Sequence, residues 1–167
     1  MTERIDYKTV SPAIIKAMYG LQAAVDHSGL EHSLLELVKL RSSQINGCAH
    51  CIEMHFKDAK AQGETDERLY LLDAWREAPF YSNRERAALL WCETLTLISE
   101  RGAPDEVFKE VQQEFTDEEL ASLTLAIVTI NGWNRFAIGF RADVGNYQPG
   151  NVAKTKMESR NKAAAAV

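Results

Sequence analysis

The run Ile45-Asn46-Gly47-Cys48-Ala49-His50-Cys51-Ile52-Glu53-Met54-His55 holds the residues best suited to chemistry. Thiols at Cys48 and Cys51 stand one helical turn apart. His55, one turn beyond Cys51 and two beyond Cys48, shares their face. If Gly47 ends one helix and the next opens at Cys48, free backbone N–H groups and the helix dipole favour a thiolate there. Such a set suits two-electron redox work. One thiolate attacks a peroxide oxygen and becomes a sulfenic acid, and the other thiol condenses with it to a disulfide. His55 is the acid–base candidate, able to take the thiol proton or to give one to the departing alkoxide or hydroxide. Cys48, nearest the helix start, is taken as the attacking thiolate and Cys51 as the resolving thiol. Cys51 is nearer His55, and the reverse order stays open. If the helices before and after Gly47 fold back antiparallel, Glu36 comes within a turn of His55 and can orient the imidazole or relay a proton.

Other readings compete residue by residue. Free cysteine is among the most buried residue types, so the pair could be two small core residues. Cys48, Cys51 and His55 or His50 are also zinc-ligand types, but structural zinc wants four ligands and no second C-x-x-C or H-x-x-x-H exists here. His50, off the shared face, reads equally well as exposed, and Glu36 alone reads as a solvated helix residue. Cys92 is expected in the core. Trp133-Asn134-Arg135 is expected to give core packing and a buried polar anchor. Met18 and Tyr19 are expected in the core or a subunit contact, with an access channel as the alternative.

Seven helices are expected to carry these groups, and no stretch alternates long enough for a strand. The first runs from Pro12, capped by Ser11, to Gly29; the second from about Ser33 to Ile45; the third from Cys48 to near Gly63. A fourth follows Thr65 with Leu69, Leu72 and Trp75. Capping boxes at Ser82/Glu85 and Thr116/Glu119 open a fifth over Arg84–Glu100 and a seventh through Ile130, with a short sixth over Asp105–Phe115.

Ile45-Asn46-Gly47 recurs as Ile130-Asn131-Gly132, and Leu35, Val38 and Leu40 match Leu120, Leu123 and Leu125 in the same register. The repeat predicts two related helix-turn-helix hairpins, about 31–62 and 116–142, within one helical domain over 1–146. In the second copy Trp133, Phe136 and Phe140 replace Cys48, Cys51 and His55. Residues 147–167 read as a flexible or subunit-contacting tail.

The bulk properties narrow the class. The chain has 167 residues, 46% of them hydrophobic, three cysteines and a formal net charge of −5, which fits one ordinary domain and no disulfide framework. No basic patch suits nucleic acid. The apolar stretch Leu123–Ile130 falls short of the roughly 20 residues of a membrane span, and Met-Thr-Glu-Arg-Ile-Asp does not open like a signal peptide. A soluble cytoplasmic protein is expected.

Glu36, eleven residues of helix and turn, and then Cys48 to His55 resemble the glutamate, C-x-H-C and downstream histidine of the AhpD-like alkylhydroperoxidases, within the carboxymuconolactone decarboxylase superfamily. Ile130 to Ile138 also resembles a segment of its peroxidase-related members, and the likeness covers about residues 30 to 145. The resemblance implies an all-α fold and a homo-oligomer (dimer, trimer or hexamer). It implies a thiol-dependent peroxide reductase using Cys48 and Cys51, with Glu36, His50 and His55 as a proton relay. It further implies no metal or other cofactor, a peroxide substrate and a lipoyl-type or thioredoxin-like dithiol donor. A non-enzymatic redox sensor or assembly protein is the alternative. So is a decarboxylase-like or lactone enzyme, although that branch typically lacks the redox pair.

Overall fold

Side-chain caps start most of the helices. Ser82 and Glu85, and likewise Thr116 and Glu119, each close a reciprocal capping box, and Thr65 accepts from the backbone N–H of Arg68. The computed structural model describes residues 2–150. Among these the order is α1 (Tyr7–Val10), α2 (Pro12–Asp26), α3 (His32–Asn46), α4 (Ala49–Ala61), α5 (Asp66–Tyr70), a 3₁₀ turn (Leu72–Ala74), α6 (Asn83–Thr96), α7 (Ile98–Arg101), α8 (Asp105–Val111) and α9 (Asp117–Phe140). The expected all-α class holds, and the described residues contain no strand. No helix among them is long and apolar enough to cross a membrane.

Helix α3 is the hub, packed by α4, α6 and α9. Leu34, Leu35 and Val38 face Ala88, Trp91 and Cys92 of α6 and Leu123 and Ile127 of α9. Leu37 and Leu40 face Ala59, Leu69, Leu72, Trp75 and Leu89. A helix apolar on both sides lies inside the fold, which is why Glu36 and Lys39 on α3 are buried charges.

Three expectations need correction. The fourth helix does not reach Trp75: α5 stops at Tyr70, the chain tightens into the 3₁₀ turn over Leu72–Ala74, and the Arg86 guanidinium donates to the carbonyls of Trp75, Arg76 and Ala78 beyond it. The fifth breaks at Leu97 into α6 and α7. The second hairpin has no turn, because α9 continues through Asn131-Gly132 to Phe140. Trp133, Phe136 and Phe140 recur at helical spacing and stack along this extension, against Tyr19 of α2 and Tyr7 of α1. That aromatic seam keeps the backbone helical where an Asn-Gly pair alone suggests a stop. Helix α1 was not expected; Asp6 caps it by accepting from Lys8 N. Of the expected tail, residues 151–167 lie outside the described residues. Tyr147 is packed on α4 through hydrogen bonds to Asp58 and Lys57.

Candidate active site

The turn between α3 and α4 holds the thiols where their positions in the sequence lead one to expect them. Gly47 takes a left-handed conformation, φ 69°, and ends α3, a geometry that costs glycine little. Cys48 is the N-cap of α4, and its sulfur accepts from the backbone N–H of Cys51 at 3.4 Å. Cys48 and Cys51 are joined as a disulfide with Cα atoms 5.4 Å apart. Each is only 1% exposed, and Ala137 of α9 and Ala142 pack on them. Cys92 is a core thiol as expected: it donates to the Val38 carbonyl at 3.3 Å, and burial pushes it up to about 12.

Glu36 and His55 meet across the antiparallel α3–α4 pair. Glu36 Oε2 lies 2.7 Å from His55 Nδ1, while Oε1 accepts from Lys39 Nζ at 3.0 Å. Burial alone would push the Glu36 carboxyl up. The His55 imidazole, by charge and hydrogen bond, and then the Lys39 ammonium outweigh burial and hold it down to about 2. An ionised carboxylate only accepts, so His55 Nδ1 carries the hydrogen and Nε2 is the other tautomeric position. Nε2 is buried and has no hydrogen-bond partner among the described residues. A buried, unmet nitrogen carries a cost that a reacting group would relieve.

His50 is placed elsewhere. Its Nδ1 donates to the Asp143 carbonyl at 2.5 Å, tying the ring to the strap that follows α9 rather than to the Glu36–His55 pair. Lys39, Asp58 and Tyr147 join the site without having been singled out from sequence. Lys39 was legible as the i+3 partner of Glu36. Tyr147 was not, since its contact spans the whole domain.

The clamp on the α3–α4 turn comes from α9. Asn134 is 0% exposed; its Nδ2 donates to Ser43 Oγ at 3.1 Å and its Oδ1 accepts from Asn46 Nδ2 at 2.8 Å. Ser43 in turn takes the Cys48 N–H on its carbonyl at 2.9 Å. Asn46 also donates to Asn131, its counterpart in the repeat, at 3.0 Å. The buried polar anchor expected at Trp133-Asn134-Arg135 is therefore a brace on the α3–α4 turn. Met18 approaches Gly132 so closely that a Cβ there would sit 3.0 Å from its Cε.

Glu36, His55 and Asp58 offer ligand-type atoms within 4.8 Å of one another. As a metal site this set is poor, because both Glu36 oxygens are already met by Lys39 and His55 and, among the described residues, only three donors converge.

The region from Pro12 to Thr94 matches the carboxymuconolactone decarboxylase family model over residues 12–94. The chain is 41% identical over 138 residues to the uncharacterized protein YdfG of Bacillus subtilis, covering 83% of this chain and 94% of that one. The chain belongs to the carboxymuconolactone decarboxylase family. The crystal structure of an Agrobacterium tumefaciens protein of unknown function, suggested to be the antioxidant defence protein AhpD, superposes with a TM-score of 0.85. Identity to that protein is 44%, over 87% of this chain and 100% of that one. The AhpD core of a peroxidase-related protein from Ralstonia eutropha has a TM-score of 0.73 at 17% identity, over 83% of this chain and 74% of that one. That distant likeness shows the shared all-α fold.

Proposed function

We propose that this protein is a thiol-dependent peroxide reductase that cycles between a Cys48/Cys51 dithiol and their disulfide. The observation that carries the reading is the buried Cys48–Cys51 pair on the α4 face that also bears His55, with the imidazole hydrogen-bonded to an ionised, buried Glu36. In the cycle one thiolate attacks the terminal oxygen of a hydroperoxide and the O–O bond breaks. His55 takes that thiol's proton on Nε2 as the thiolate forms and passes it to the departing alkoxide, giving a sulfenic acid and an alcohol. The second thiol attacks the sulfenic sulfur, the disulfide forms and water departs. An external dithiol restores both thiols by exchange, so each turnover moves two electrons and two protons from donor to peroxide.

Different features of the site favour different thiols. The N-terminus of α4 favours a thiolate at Cys48, and the single turn to His55 favours proton transfer at Cys51. Trapping the sulfenic acid in the two single-serine variants separates them: only the variant that keeps the attacking thiol forms it. Lipoyl-type and thioredoxin-like dithiols are the donor candidates. A reducing cytoplasm is the setting that keeps such a pair available.

A homo-oligomer is supported by Ile14, Tyr19 and Leu21 on α2 and Val128 and Ile138 on α9, large apolar side chains left exposed in the single chain. Sedimentation or light scattering gives the number of copies. The deciding experiment is a thiol count on the reduced protein before and after one equivalent of peroxide. The proposal expects the loss of two thiols from the peptide spanning Cys48 to His55, with turnover when a dithiol donor is added. Thiols that survive the peroxide would overturn it.

A further inference from the structure

Asp58 and Tyr147 have no part in the cycle above, yet they abut it. Asp58 stands three residues beyond His55 on α4, and its carboxylate shares the 4.8 Å cluster with Glu36 and His55. One hydroxyl, that of Tyr147, reaches both of its oxygens, at 2.7 and 2.8 Å. Tyr147 arrives on the strap after α9, which is fastened along a stripe of α4. Asp143 O takes His50 Nδ1, Gly145 N–H donates to Glu53 Oε2 at 2.6 Å, and Tyr147 O accepts from Lys57 Nζ at 2.9 Å. Positions 50, 53 and 57 recur at helical spacing. The strap therefore lies along α4 beside the disulfide, with Ala142 packed against the cluster of Cys48, Cys51 and Ala137.

We infer that Asp58, held by Tyr147, is a positioning residue for His55: a second carboxylate that stabilises the protonated imidazole and sets the pH at which it can exchange a proton. The charges that face His55 are Glu36 and Lys39 from α3 and Asp58 from α4, with the neutral Tyr147 hydroxyl on the strap. Glu36 is the nearer carboxylate and touches both His55, at 2.7 Å, and Lys39, at 3.0 Å; Asp58 adds a second negative charge to the cluster, one that no lysine contact offsets in the same way. Burial, and less strongly the Glu36 charge, push the Asp58 carboxyl up, while the Tyr147 hydrogen bond pulls it back. Burial and the bond to Asp58 push the Tyr147 phenol up, which keeps its proton available as the donor. The use of this device in catalysis rests on the dithiol reading; its effect on the imidazole does not.

The test is an NMR titration of the histidines in the oxidised protein, with His55→Asn identifying the His55 signal. Asp58→Asn is expected to lower the His55 midpoint by about one pH unit, the scale of a lost charge at this range. Tyr147→Phe is expected to move it the same way by less, and Asp58→Glu to keep it near the original value. In the reduced protein the alkylation of Cys51 by iodoacetamide should show the same order in its pH profile. A midpoint unmoved in both Asp58→Asn and Tyr147→Phe, in proteins that melt as folded, overturns the inference. Peroxide turnover by the unaltered protein is read separately. If turnover is absent while the midpoint still shifts, the peroxidase reading falls and the charge effect stands.

Discussion

Ile45-Asn46-Gly47 ends a helix and Ile130-Asn131-Gly132 continues one. In the first copy Gly47 turns left-handed and Cys48 caps a new helix; Gly132 has ordinary helical geometry and lies under Met18. The two asparagines meet across the repeat at 3.0 Å. One copy thus presents the thiols, and the other spends its polar side chains holding that turn in place. Glu36 corresponds in register to Ala121 and His55 to Phe140, so the second copy lacks the charged pair as well as the thiols. Two related segments have divided into a thiol-bearing element and its brace. The glycine in each is kept for a different physical reason.

Several changes would break or sharpen this division. The largest effect is expected from Cys48→Ser or Cys51→Ser, which makes the first copy as inert as the second; peroxide turnover with a dithiol donor should fall to the uncatalysed rate. Next comes Glu36→Gln, which removes the charge that Ala121 never had. It leaves Lys39 and His55 buried without their anion, and should cost about 3 kcal/mol in urea denaturation at neutral pH.

Glu36 also sets an acid limb. Its carboxyl is lowered from 4.5 to about 2, so its contribution is complete above pH 4.5 and drains away as pH falls toward 2. Thermal melts across that window should drop for the unaltered protein and flatten in Glu36→Gln.

Asn134→Ala attacks the brace. It strips partners from Ser43 and Asn46 and should cost about 2 kcal/mol in the same denaturation experiment. Slower alkylation of the reduced thiols would show that the brace also positions them. The smallest effects separate the two glycines. Gly47→Ala, at φ 69°, should destabilise by about 1–2 kcal/mol. Gly132→Ala gains up to about 1 kcal/mol of helix propensity against the push on the flexible end of Met18, leaving a net change near zero. Equal losses at both glycines would show that the two Ile-Asn-Gly segments play the same structural role after all.

The reactive segment was legible because each of its signals is local. Gly47 as a stop, Cys48 at a helix start, and the spacing of Cys51 and His55 follow from one helical period and one cap. Glu36 could be placed because an antiparallel hairpin about Gly47 fixes which residues face each other. The turn expected at Asn131-Gly132 failed because an aromatic seam against α1 and α2 overrode a dipeptide preference. Trp133, Phe136 and Phe140 carried that signal at helical spacing. Asp58, three residues beyond His55 on α4, lay within the same helical period, but Tyr147 and the anchorage of His50 on Asp143 depend on a strap returning across the domain, and no local period encodes such a return.

The sequence by itself determined an all-α chain, a dithiol at a helix start with an imidazole on its face, and a repeat that kept its helix and lost its thiols. Those properties rest on capping, periodicity and residue chemistry, which act over a few residues. Only the tertiary structure decided that Lys39 and His55 together ionise a buried Glu36, that α9 braces the reactive turn through Asn134, and that Tyr147 closes on Asp58. Each of these sets a polar group against a partner from another element, and burial then makes the pairing obligatory.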